Sequence, residues 1–118
     1  MSTRHTIERY FDSLQRKQAW EPLLADDIAF TSFTSPPKIV TGREAYLQAT
    51  KRFYSMILSV EVKDVLTDGS KACALTRYNL QPPNGGPVFT SDVAEIFSVA
   101  NDKIASLSIY FDTAPFSK

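Results

Sequence analysis

The sequence predicts an α+β domain, with N-terminal helices packed on one face of a mainly antiparallel sheet. Two observations predict it. Apolar residues recur at helical spacing through most of the first half of the chain and switch to the strand period of two from Ser59 onward. Short turn signals then separate four successive strand candidates, so neighbours join as hairpins. Helices first and a meander afterwards place the helices on one sheet face. At 118 residues the chain reads as one domain, residues 1–118, able to bury about two thirds of its unfolded surface.

The first segment sets Ile7, Tyr10, Phe11 and Leu14 at the spacing of one helix face, with Ser2 or Thr3 available as cap. Trp20, Leu23 and Leu24 gather around Pro22, which suits the opening of a short second helix and so an N-terminal helical hairpin. Ile28 to Phe33 reads as a short strand, ended by Ser35-Pro36-Pro37 because consecutive prolines cannot continue a ladder. Thr41-Gly42-Arg43-Glu44 has the form of a capping box, and Tyr46, Leu47, Thr50, Phe53, Tyr54 and Ile57 follow at helical spacing. The strand candidates are Ser59 to Thr67, Lys71 to Gln81, Val88 to Val99 and Lys103 to Phe111. In the last of them Leu107, Ile109 and Phe111 point one way, and Ile104 and Tyr110 the other. Both faces of the sheet therefore carry apolar side chains, and a homodimer formed through the sheet face is the expected way to cover the second.

Composition narrows the function. Thirteen basic residues balance thirteen acidic ones, which leaves no electrostatic footprint for nucleic acid or anionic lipid. One cysteine, Cys73, cannot form an internal disulfide, and with His5 as the only histidine no ordinary zinc site can be assembled. Cys73, between two alanines, reads as an inert buried thiol. No apolar run approaches the ~20 residues that span a bilayer, and the expected setting is the cytoplasm without a membrane partner. No glycine-rich phosphate loop or metal constellation implies a cofactor. Aromatic residues, eight Phe and five Tyr among them, are the distinctive content; they suit a core or a pocket for a small apolar or aromatic ligand.

Four stretches carry a resemblance to a known family. They are Glu8-Arg9-Tyr10-Phe11, Leu24-Ala25-Asp26-Asp27-Ile28-Ala29-Phe30, Thr41-Gly42-Arg43-Glu44-Ala45, and Asp102-Lys103-Ile104 with Ile109-Tyr110-Phe111-Asp112. In this order they resemble the cone-shaped fold shared by nuclear transport factor two, scytalone dehydratase, ketosteroid isomerase and the SnoaL-like polyketide cyclases. The resemblance implies that the sheet is curved and that it encloses a conical cavity with the long helix. It does not imply one activity, because function lives in the pocket residues.

Three residues are candidates for chemistry. Tyr10, on the buried stripe of the first helix, resembles the isomerase tyrosine that donates to the substrate oxygen; its alternative reading is a core tyrosine whose hydroxyl meets a backbone carbonyl. Glu95 shares its strand face with Val93, Phe97 and Val99, so burial would force it to find a partner or to bind a proton more tightly, unless it lies at a solvated rim. Asp92 faces the other way in a regular strand. Asp112 ends the last strand, where SnoaL-like sequences often carry an aspartate, and is also a natural turn residue before Thr113-Ala114-Pro115. Ser32, Phe53, Tyr54 and Phe97 are the expected ligand-lining residues, and Trp20 a lid or core residue.

The chain also departs from the family's enzymes. Where the resemblance places the isomerase base, it has Thr31-Ser32-Phe33, and a serine cannot shuttle a carbon acid's proton at neutral pH. Arg77 is followed two residues later by Asn79 rather than by the acid expected of an epoxide hydrolase of this fold, and the dehydratase histidine set is missing. Three readings remain open. One is a cofactor-free isomerase, cyclase or dehydratase acting by proton transfer on a flat apolar substrate. The second is a ligand-binding module with the same pocket and no catalysis. The third is a dimerising protein-interaction domain.

Overall fold

The computed structural model describes residues 2–33 and 38–112. The expected endings at Ser35-Pro36-Pro37 and Thr113-Ala114-Pro115 lie outside the described residues. Helix α1 (Thr3–Gln15) begins where Ser2 Oγ accepts a hydrogen bond from the His5 amide at 3.1 Å, and it buries Ile7, Tyr10, Phe11 and Leu14. The expected second helix is instead a single 3-10 turn, Glu21–Leu23, opened by Pro22. Its extension is stopped because Leu24 already adopts an extended backbone and joins the sheet, where Leu24 and Ile28 are both fully buried. Strand β1 therefore spans Leu24–Ser32, starting before Ile28.

Strand β2 (Lys38–Thr41) was not anticipated from the periodicity, since three of its four residues are exposed. It pairs antiparallel with β1, from Ser32 opposite Lys38 to Ala29 opposite Thr41. That pairing overturns the capping box. Thr41 is committed to the ladder, and the cap of helix α2 (Arg43–Met56) is Gly42, at φ 98 with no side-chain cap bond. The Gly42 amide donates to the Ile28 carbonyl at 2.8 Å, tying the helix start to β1. No atom lies within 4 Å of where a Cβ would stand on Gly42, so Gly42→Ala meets backbone strain rather than a clash. We expect it to lower stability by ~1–2 kcal/mol in denaturant unfolding, while Thr41→Ala, which removes no cap bond, leaves the helix end intact.

Helix α2 ends at Met56, and Ile57 opens β3 (Ile57–Asp68) instead of closing the helix. The strands β4 (Lys71–Leu80), β5 (Phe89–Ala100) and β6 (Lys103–Phe111) complete the expected antiparallel meander. The six-stranded sheet has the order β2-β1-β6-β5-β4-β3. It is mixed, because β1 and β6 pair in parallel, a pairing that needs the long crossover that everything between them provides.

One face assignment is corrected in β6. The register with β5 shifts between Ser98 and Val99, so that Val99 opposes Ile104 and Ser98 opposes Ser106. The extra residue turns Ile104 to the same side as Leu107, and both are buried. Helix α1 packs across β3, β4, β5 and β6, and α2 on β1 and β2, with one continuous apolar core beneath them. The opposite face leaves Leu75, Ile96 and Tyr110 exposed, and Phe33 stacks on Tyr110 with ring centroids 4.8 Å apart. Among the described residues no helix is long and apolar enough to cross a membrane.

Candidate functional site

The site grows from the alternation of β5. Ser91, Val93, Glu95 and Phe97 all point into the core, and Glu95 is only 3% exposed. Its neighbours come from β4, where Thr76 and Tyr78 share the inward face with Ala72, Ala74 and Leu80. The Thr76 hydroxyl donates to Glu95 Oε2 at 2.8 Å and the Tyr78 hydroxyl to the same oxygen at 2.7 Å. Burial pushes the Glu95 carboxyl up to about 7, although these two donors favour the charged form and pull it back. Close to neutral pH, Glu95 can therefore hold or release a proton.

Three more tyrosines face it from the helices. Tyr54 of α2 is hydrogen-bonded to Tyr10 of α1 at 2.6 Å and also to Tyr46, one helix face along. Burial holds all three hydroxyls well above the usual phenol range, and the negative charge of Glu95 adds to this in each. They remain protonated. Three hydroxyls carry three protons; the bonds of Tyr54 to Tyr10 and to Tyr46 use two, and the third lies between Tyr10 and Tyr46, which also interact, where it can turn to an outside acceptor.

Aromatic rings surround both groups. Trp20 stacks on Tyr54 with centroids 4.0 Å apart, Phe53 meets Tyr78 at 5.1 Å, Phe30 meets Tyr46 at 5.1 Å, and Phe97 meets Tyr10 at 5.9 Å. Ser32 is buried on β1. Through Ile109 of β6 it lies in the same cross-strand row as Glu95 of β5, two strands away or roughly 10 Å.

Tyr10, Glu95, Phe53, Tyr54 and Phe97 thus gather in one interior, with Ser32 in the same row. Asp112 does not join them: it stands exposed just after β6. Asp92 faces outward, where Arg77 holds it through two hydrogen bonds of 2.7 and 3.1 Å. His5 is exposed, and Cys73 is only half-buried, correcting its reading as a buried thiol, because it alternates with Ala72 and Ala74 and so takes the other face. Sequence reasoning missed the hydroxyl of Tyr46 and the role of Thr76. Period-two alternation from Ala72 would have placed Thr76 and Tyr78 together on one face; no local signal could have paired Tyr46 with Tyr54 and Tyr10. Among the described residues no group of three His, Cys, Asp or Glu side chains could hold a metal ion.

The SnoaL-like domain family model matches residues 7–107. No curated protein matches the sequence. Solved structures share the architecture. An NTF2-like protein of unknown function from Cytophaga hutchinsonii is 20% identical, with a TM-score of 0.77 over 100% of this chain and 96% of that one. A candidate SnoaL-like polyketide cyclase from Jannaschia sp. is 16% identical, with a TM-score of 0.79 over 97% and 88%. A candidate ketosteroid isomerase from Kribbella flavida is 21% identical, with a TM-score of 0.71 over 95% and 78%. At such identities the structural likeness speaks for the fold, and the family model adds membership: this chain belongs to the SnoaL-like domain family.

Proposed function

We propose that this chain binds a flat, mostly apolar small molecule between its helices and sheet, and isomerises, cyclises or dehydrates it by proton transfer without a cofactor. The observation that carries the reading is a buried carboxyl poised near neutrality in the same interior as three clustered tyrosine hydroxyls, one of whose protons the two bonds of Tyr54 do not use. In this mechanism Glu95 takes a proton from the substrate and returns it at another atom, a role that is most effective when the group's pKa lies near the working pH. The spare O–H of the Tyr10, Tyr54 and Tyr46 chain, with Tyr10 as the expected donor, bonds the substrate oxygen on which charge develops. In a dry, apolar site that bond strengthens as the charge grows. Ser32, Phe53, Tyr54 and Phe97 line the bound molecule. Asp112 is the second candidate for moving a proton.

With a substrate in hand, Glu95→Gln abolishes turnover; loss in Asp112→Asn instead would move the proton transfer to Asp112, and unchanged rates in both variants remove the enzymatic reading. Ser32 favours a second reading, a ligand-binding module without catalysis, because it occupies the place where the resemblance to the isomerases leads one to expect a base. That reading predicts binding that survives Glu95→Gln, with no turnover in either protein.

We also propose a homodimer through the outer sheet face. A surface hollow of about 500 Å³ there is lined by Leu75, Ala94 and Tyr110 and edged by the Arg77–Asp92 pair. A second copy would supply both apolar and ionic complements to such a face. Ile96→Lys is expected to weaken self-association at least ~30-fold in sedimentation equilibrium, and an unchanged mass distribution would remove this interface. The single, unpaired cysteine suits the reducing cytoplasm proposed as its location.

A further inference from the structure

Among the described residues, Ser91 Oγ is the one buried side-chain N or O atom without a hydrogen-bond partner, and Ser91 is 1% exposed. A buried hydroxyl with nothing to bond lowers stability by roughly 1–3 kcal/mol. Alanine would fill the same space without that loss. The hydroxyl borne by its cross-strand neighbour is occupied elsewhere: Tyr78 stands opposite Ser91 in the ladder, but its hydroxyl donates to Glu95. Ser91 and Glu95 lie on the same inward face of β5, separated on that face by Val93 alone. At the rise of a strand their Cα atoms are about 13 Å apart. That is about the reach of a flat ligand of two or three rings whose first oxygen sits at the Glu95 end of this face.

We infer that Ser91 is a specificity residue: its hydroxyl bonds a second polar group at the far end of the ligand. The inference rests on the small-molecule reading above and narrows its substrate class to flat molecules with oxygen at both ends, such as diols and hydroxy ketones. A molecule with one polar end leaves Ser91 as it is in the free protein and gains nothing from it.

The test compares matched phenols that differ by one distal hydroxyl: para-phenylphenol against para,para-biphenol, and the three-ring para-terphenyl-4-ol against para-terphenyl-4,4″-diol. Binding of each is measured by calorimetry to the wild-type chain and to Ser91→Ala. The expected result is a loss of ~10-fold or more for a dihydroxy member, with its monohydroxy partner unchanged, and a higher unfolding midpoint for the free variant. If both members of each pair respond alike to Ser91→Ala, the role of Ser91 is overturned while the pocket stands. If the free variant is less stable than the wild type, Ser91 has a partner within the protein and the inference is again overturned. If none of the four probes binds the wild-type chain, the small-molecule reading fails and this one with it.

Discussion

Glu95→Gln is expected to make the protein more stable at pH 8 and to flatten the dependence of its stability on pH. The carboxyl is raised from an ordinary value of 4.5 to about 7 in the folded chain, mainly by burial. Below about 4.5 the folded and unfolded states both carry the proton, and the variant and the wild type should differ little in pH response. Between 4.5 and 7 the unfolded chain loses its proton first, so wild-type stability falls as pH rises; above 7 both states are ionised and the loss is complete. The full difference is on the order of 3 kcal/mol. Glutamine keeps an oxygen that can accept from Thr76 and Tyr78, so the two donors stay satisfied while the charge is removed. Unfolding midpoints across this range check the result, and a slope that Glu95→Gln leaves unaltered would show that the carboxyl is not the titrating group. In turnover the same residue should appear as a group near 7 in the pH profile of kcat/KM, absent from the variant because its activity is lost.

Tyr54→Phe should be the most damaging of the single hydroxyl deletions among the helix tyrosines. Tyr54 is the shared partner of Tyr10 and Tyr46, so removing its hydroxyl breaks two bonds at once. Each buried hydroxyl left without a partner costs about 1–3 kcal/mol. Tyr10→Phe and Tyr46→Phe each break one of these bonds and should cost correspondingly less. The ring survives in all three, which preserves the stacking of residue 54 on Trp20 and isolates the hydrogen bonds. Denaturant unfolding ranks the variants, and a Tyr54→Phe no less stable than Tyr46→Phe would mean that the three hydroxyls do not act as a chain centred on Tyr54.

The inward position of Glu95 was legible because a strand alternates strictly: once Val93 and Phe97 are assigned to the core, the residue between them must follow. Ile104 shows where that reasoning stops. One extra residue in β6, opposite Ser98 and Val99, reverses the face of everything beyond it, and nothing in the local pattern announces a bulge. Thr41 shows a second limit. Thr-x-x-Glu is a sound local cap, but a strand partner 12 residues earlier in the chain, Ala29, claimed its backbone first.

By itself the sequence determined the α+β class, the stripes of both helices, the four-strand meander and the alternation that buries Glu95, because spacing along one segment dictates these. Only the tertiary structure decided that β1 runs parallel beside β6, that β2 exists, and that Thr76 and Tyr78 share one oxygen of Glu95. It alone brought the hydroxyls of Tyr10, Tyr46 and Tyr54 together. Each of these is a meeting of segments distant in the chain or of side-chain tips whose distances no periodicity encodes, and the chemistry of the site depends on those distances.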